Sequence, residues 1–294
     1  MLEFRTIKLN DRERINEILR MSDFRGCEYT FANNMAWRRK SHSKICIYKD
    51  FYICGACEPE IVFCFPAGKG DYKGIFDELK KFSESHNQTL KISGVLDSQL
   101  HIFEESYPGM FDVKSFDADY DYIYNAEQFR SFSGKKFHSK RNHIAQFEKR
   151  YSYQLTEITE NDFDDCIEFA TNCYNDADGY MDNSAVFEQY AINTFFYHFD
   201  KLGLKGAVLR VDGETVAFSI GERINSDTFG VHIEKANTAY HGAYTVIANG
   251  FAKLSAEDFK YINREEDLGI EGLRKSKKSY YPEKLLKKNV VIFK

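Results

Sequence analysis

The chain is poor in proline and has no long apolar run. Only four prolines occur in 294 residues, so most of the sequence is free to form helices and strands. No apolar stretch approaches the ~20 residues that a membrane-crossing helix needs. The N-terminus, MLEFRTIKLNDRER, is charged from its third residue and lacks the apolar core of a secretory signal. A net charge of -5 gives no chain-wide attraction to nucleic acid or to an anionic membrane, so any anion site has to be local. What the chain does have is apolar mass: 43% of its residues, with 26 Phe and 19 Tyr. That excludes a disordered composition and allows one large domain or two medium ones.

The seven cysteines are odd in number and follow no signal segment, which predicts reduced thiols in a soluble, cytoplasmic protein. Cys54-Gly55-Ala56-Cys57 has redox or zinc-ligand spacing, and Cys46 and Cys64 lie close by. However, Cys46, Cys54 and Cys64 each sit in a strand-like apolar run (KICIY, FYICG and IVFCF). They are therefore expected to act as small buried hydrophobes, and no metal ligands are assigned.

Strands are expected near 3–8, 44–49, 51–55, 61–65, 90–94, 111–114 and 119–124, with helices near 11–21, 71–86 and 97–105. A second series follows a basic helix at 135–150. Its strands fall near 153–158, 205–211, 214–223, 226–235, 258–263 and 289–293, and its helices near 161–175, 184–200, 242–256 and 270–279. Asp212-Gly213 is a hairpin signal within GAVLRVDGETVAFSIGERINSDTFGVHIEKA. The similar element order of the halves predicts two related α/β domains, 1–130 and 131–294, with mixed, mostly antiparallel sheets.

Three segments carry candidate chemistry. In the first, Glu234 and Lys235 end a strand and Gly242 opens a helix, whose N-terminal N–H groups suit an anion. The plain alternative there is an ordinary turn with solvated charges. The second is the basic helix, GKKFHSKRNHIAQFEKRYSY, in which Phe137, Ile144 and Phe147 face a core while Lys140, Arg141 and Asn142 belong to its polar surface. It suits a phosphate-bearing partner or is simply a solvated linker. The third is FKYINREEDLGIEGLRKSKKSYYP, where Asn263 and Arg264 leave a strand, Glu265, Glu266 and Asp267 follow, and Arg274, Lys277 and Lys278 group on the next helix, with Tyr281 extending that side. Acids at a helix start and bases at its end match the helix dipole. That does not explain Gly269 and Gly272, which cost helix stability and suit a turn or a close backbone approach.

The element order of the second half resembles the GNAT acyltransferase fold. The resemblance implies a pyrophosphate-binding loop, Gln/Arg-x-x-Gly-x-Gly/Ala, over Ala239–Tyr244. Gly242 matches, whereas Ala239 and Tyr244 depart from the pattern, and Tyr244 narrows the approach to the backbone. KRNHI at 140–144, HIEKA at 232–236 and NREEDLGIEGLRKSKKSYYP at 263–282 together resemble the C-terminal catalytic domain of phosphatidylglycerol lysyltransferases. This second resemblance covers most of the chain. It implies two tandem GNAT-like domains and an acyl- or aminoacyltransferase that takes charged tRNA as donor and a small molecule or lipid headgroup as acceptor.

In that reading Glu234, Glu265 or Asp267 holds the donor ammonium or relays a proton, and Tyr244 and Tyr280 donate hydrogen bonds. Lys140, Arg141, Asn142, Lys235, Asn263, Arg264, Arg274 and Lys277 hold the donor or its phosphates. No cofactor is assigned beyond the donor itself. Three alternatives stay open: an acyl-CoA-dependent N-acyltransferase, a non-catalytic module binding RNA or another polyanion, and a degenerate double fold with a purely structural role.

Overall fold

The computed structural model describes residues 2–40, 42–175 and 183–294. They form a mixed α/β fold with two seven-stranded sheets. The chain groups into two compact units, neither of them one continuous stretch. The first comprises Met1–Asp121, Glu266–Glu271 and Leu285–Lys294; the second comprises Tyr122–Glu265 and Gly272–Lys284.

The first sheet runs in the order Ser43–Tyr48, Phe51–Ala56, Val62–Cys64, Lys91–Val95, Asn289–Phe293 and Phe111–Ser115, with Ala67–Gly68 paired to Phe51–Ala56. Val62–Cys64 and Lys91–Val95 are parallel neighbours; the other pairs are antiparallel. The expected strand at 3–8 is reduced to a single bridge between Arg5 and Ile45. Helix Tyr72–Ser85 is capped by Asp71, whose carboxylate accepts from the Gly74 N–H at 2.9 Å. It buries Ile75, Phe76 and Leu79 at helical spacing against the aromatic core around Phe63, Phe65 and Phe103. Cys46 and Cys54 are buried within their strands, as a hydrophobe's role requires.

The second sheet runs Lys284–Leu286, Asp121–Asn125, Tyr261–Asn263, Thr228–Ala236, Glu214–Arg223, Lys205–Val211 and Tyr153–Glu157. Its last four strands form an antiparallel meander, and Thr228–Ala236 takes Tyr261–Asn263 as a parallel neighbour. Helix Ala243–Ser255 packs on this sheet and is buried over most of its length. A Cβ at its Gly250 would meet the end of the Leu155 side chain at 2.2 Å, so Leu155 packs into the space the glycine leaves. Asn249 donates to the carbonyls of Phe129 and Arg130 at 2.9 and 2.7 Å, satisfying C-terminal carbonyls of helix Ala126–Ser131.

Gly242 has a left-handed backbone, φ 97°. A Cβ there would lie 2.8 Å from the His143 carbonyl oxygen and 3.4 Å from Phe147, both on helix His138–Arg150. The glycine is explained by that helix crossing, with no need for a bound pyrophosphate.

Candidate functional site

Strand Tyr261–Asn263 runs parallel to Thr228–Ala236 and stops level with Gly230, so the chain leaves it at Arg264 alongside the continuing neighbour, whose Glu234 the Arg264 side chain reaches. Arg264 Nη2 donates to Glu234 Oε1 at 2.5 Å, with side chains only 11% and 10% exposed. The guanidinium also lies over three aromatic rings, with its carbon 4.8 Å from the centre of Tyr280, 5.5 Å from Phe129 and 5.8 Å from Tyr124. Burial opposes the guanidinium charge most strongly, but the facing Glu234 carboxylate together with Tyr124 and Tyr280 outweighs it and raises the Arg264 pKa. Burial pushes the Glu234 carboxyl up while the Arg264 charge pulls it back. Arg264 Nη1 is buried with no hydrogen-bond partner among the described residues. A buried N–H left in this way is an available donor.

Two lysines flank the pair in different roles. Lys140 Nζ donates to Ser279 Oγ at 2.7 Å and stands 3.5 Å from the centre of the Tyr280 ring. Its pKa is pushed down to about 8, first by burial and then by the Arg264 charge. Lys277, on helix Glu271–Lys278, instead donates to the carbonyl oxygens of Arg264 and Glu265 and pins the backbone that presents them. Tyr124 ties down that lysine's own carbonyl at 2.8 Å.

His232, on the same strand as Glu234, belongs to a second charged group that the sequence reading did not assign. The register with Glu214–Arg223 passes from Ile220–Ile233 to Gly221–Val231, leaving His232 as the extra residue of a β-bulge. Its Nδ1 lies 2.8 Å from Glu265 Oε1, its Nε2 lies 3.2 Å from Glu222 Oε1, and its ring stacks on Phe195. Burial lowers its pKa, but hydrogen bonds to the two carboxylates outweigh that and bring it to about 9. The imidazolium therefore stabilises the fold fully below the ordinary histidine pKa, and that contribution is lost as pH rises through about 9. His232→Gln should cost on the order of 3 kcal/mol more near pH 6 than above pH 9. Urea denaturation of both proteins across that range tests this, and a difference independent of pH would refute it.

The remaining sequence-predicted residues are spread more widely. Asn263 is fully buried and accepts from the Glu265 N–H at 2.7 Å, which supports the left-handed Glu265. Asp267 is also fully buried, belongs to the first unit, and caps the turn at Gly269 by accepting from its N–H at 2.9 Å. Tyr244 is 41% exposed on the first turn of helix Ala243–Ser255. Arg141 donates to the carbonyls of Phe132 and Gly134, Asn142 is exposed, and Lys235 pairs with Glu188 at 2.8 Å. Arg274 is half-buried on helix Glu271–Lys278. The geometry thus groups Glu234, Arg264, Lys140 and Tyr280 and gives Lys277 and Asn263 supporting positions.

A separate ionic cluster lies within the first unit. Lys288 Nζ donates to Asp121 Oδ1 and Glu28 Oε2, both at 2.7 Å, and lies 3.7 Å from Cys27 Sγ. Cys27, Glu28 and Asp121 have the donor atoms and proximity to hold a metal ion. Here the Lys288 ammonium supplies the positive charge between the two carboxylates.

No helix among the described residues is long and apolar enough to cross a membrane. A conserved protein of unknown function from Bacteroides thetaiotaomicron is 35% identical in sequence, with a TM-score of 0.93 and all of both chains covered. The structure of L-PGS from Bacillus licheniformis superposes with a TM-score of 0.67 over 96% of this chain and 92% of that one, at 14% identity. A tandem GNAT protein from the clavulanic acid biosynthesis pathway shares the fold at a TM-score of 0.51, over 99% and 98% of the two chains and at 8% identity. An uncharacterized protein from Mycoplasmoides gallisepticum is 24% identical over 174 residues, a match spanning 58% of this chain and 55% of that protein. The family model described as "Phosphatidylglycerol lysyltransferase, C-terminal" matches residues 19–292. By that match, which spans nearly the whole sequence, the chain belongs to the phosphatidylglycerol lysyltransferase C-terminal family.

Proposed function

We propose that the second unit transfers an aminoacyl group from charged tRNA to an amine or hydroxyl of a small molecule or lipid headgroup. The observation that carries this reading is the buried Arg264 guanidinium, held by Glu234 and aromatic rings with one N–H still available. In the reaction the acceptor nitrogen or oxygen attacks the ester carbonyl carbon of the donor. A new C–N or C–O bond forms, the bond to the ribose oxygen breaks, and the acceptor's proton ends on that oxygen. The free Nη1–H of Arg264 donates to the carbonyl oxygen as it gains negative charge, in a setting where a fixed donor acts strongly. Lys140, with its pKa at about 8, takes the acceptor's proton in its neutral form and passes it on. Membership of the lysyltransferase family supports the donor class. The left-handed backbone of Gly242 is accounted for by the crossing of helix His138–Arg150, so that glycine by itself does not favour the acyl-CoA alternative.

Incubation with labelled aminoacyl-tRNA pools and, separately, with acyl-CoA pools tests the reading, with mass spectrometry of candidate acceptors. Transfer from aminoacyl-tRNA alone is expected, with a rate that rises as pH passes through about 8. Transfer from acyl-CoA alone, or from neither, would overturn it.

A further inference from the structure

Among the described residues, the outer strand of the first sheet, Phe111–Ser115, has a neighbouring strand, Asn289–Phe293, on one side only. Asp112, Val113, Lys114 and Ser115 are all exposed, and so are Met110 and Phe116 at its ends, by 44% and 52%. An open edge of this kind is a template for another strand unless charge or shape blocks it.

The direction of its free backbone groups can be read from its neighbour. Phe293 faces Phe111 in the register, yet the Phe293 N–H donates to Leu90 on the other side, and the Lys294 N–H donates to Met110. Hydrogen-bonded and non-hydrogen-bonded pairs alternate along an antiparallel ladder. Asp112 and Lys114 therefore turn their backbone groups inward, and Phe111, Val113 and Ser115 turn theirs outward.

We propose that a second copy of this chain pairs with this edge, antiparallel and centred on Val113. The sequence MFDVKSF is complementary to itself about that residue. Val113 meets Val113 as a hydrogen-bonded pair, and Phe111 meets Ser115 in the same way, using the outward groups. Asp112 of each copy then faces Lys114 of the other in the closer, non-hydrogen-bonded pairs, placing opposite charges together twice. Met110 of each copy opposes Phe116 of the other, covering apolar side chains that are exposed in the single chain. A lysine on an edge strand ordinarily deters pairing. Here the aspartate two residues away answers it, and only in this register. Asp112 also lies 3.2 Å from Lys294, but with both side chains more than half exposed that pair contributes little.

Sedimentation velocity of the full chain over a concentration series tests the proposal, with circular dichroism confirming that each variant is folded. The wild type should show a reversible monomer–dimer equilibrium. D112K and K114D each place like charges opposite one another twice and should weaken dimerisation by about tenfold or more. The double variant D112K/K114D should restore it, and Lys294→Met should leave it unchanged. A wild type that stays monomeric throughout overturns the proposal. So does a dimer indifferent to the single reversals, or a double variant as weak as the singles.

Discussion

Replacing Arg264 by lysine is expected to lower the rate of acyl transfer by about a thousandfold while the protein remains folded. Lysine keeps a positive charge opposite Glu234, so the buried carboxylate is not abandoned. It cannot keep the rest of the arrangement. A lysine ammonium does not lie flat over Tyr280, and it cannot direct one N–H at Glu234 while holding a second for the substrate oxygen. The loss should therefore fall on kcat, with KM little changed, because the missing hydrogen bond strengthens only as charge develops on the carbonyl oxygen. Alanine is a poorer probe, since an uncompensated buried Glu234 would cost stability as well as rate. Full turnover in the lysine variant would place the oxyanion donor elsewhere.

Replacing Lys288 by methionine is expected to destabilise the protein by about 3–5 kcal/mol, the cost of leaving buried carboxylates without their cation. Asp121 is fully buried, and Glu28 is 16% exposed. Burial works against the Lys288 ammonium, but Asp121, followed by Cys27 and Glu28, more than offsets this and raises its pKa. Since ordinary domains are stable by roughly 5–15 kcal/mol, the loss is a large fraction of the total. Urea denaturation measures it, and adding Asp121→Asn to the methionine variant should recover part of the loss by removing one unpaired charge. A methionine variant as stable as the wild type would show that the cluster is not structural.

Most of the secondary structure was legible because it rests on local pattern. The amphipathic period of Tyr72–Ser85 and the Asp212-Gly213 hairpin are each contained in a few neighbouring residues. Helix Phe31–Trp37 was missed because FANNMAW is too short to show a period, and only Thr30, accepting from the Asn33 N–H, marks its start. Strand Lys284–Leu286 lies among lysines and has no apolar alternation. The site was legible in part for the same reason. Glu234 and Arg264 stand out as charges near strand ends; the parallel pairing of their strands places them on neighbours, and the long Arg264 side chain spans the rest. The His232 group assembles side chains from two strands and the residues after a third, positioned by a bulge that no local sequence signal announced. Lys288 and Glu28 are 260 positions apart, and nothing in either neighbourhood refers to the other.

The placement of Asn289–Phe293 between Lys91–Val95 and Phe111–Ser115 has a consequence for biosynthesis. Translation delivers this inner strand after every residue of the second unit, which ends at Lys284. The later-made unit can thus close while the earlier-made sheet still lacks the strand that joins Phe111–Ser115 to the rest of it. Until residues 289–293 emerge, two strands wait with the edges they will share exposed to other chains. The start of the protein finishes folding last, and the interval before its final strand arrives is when the nascent chain most needs protection.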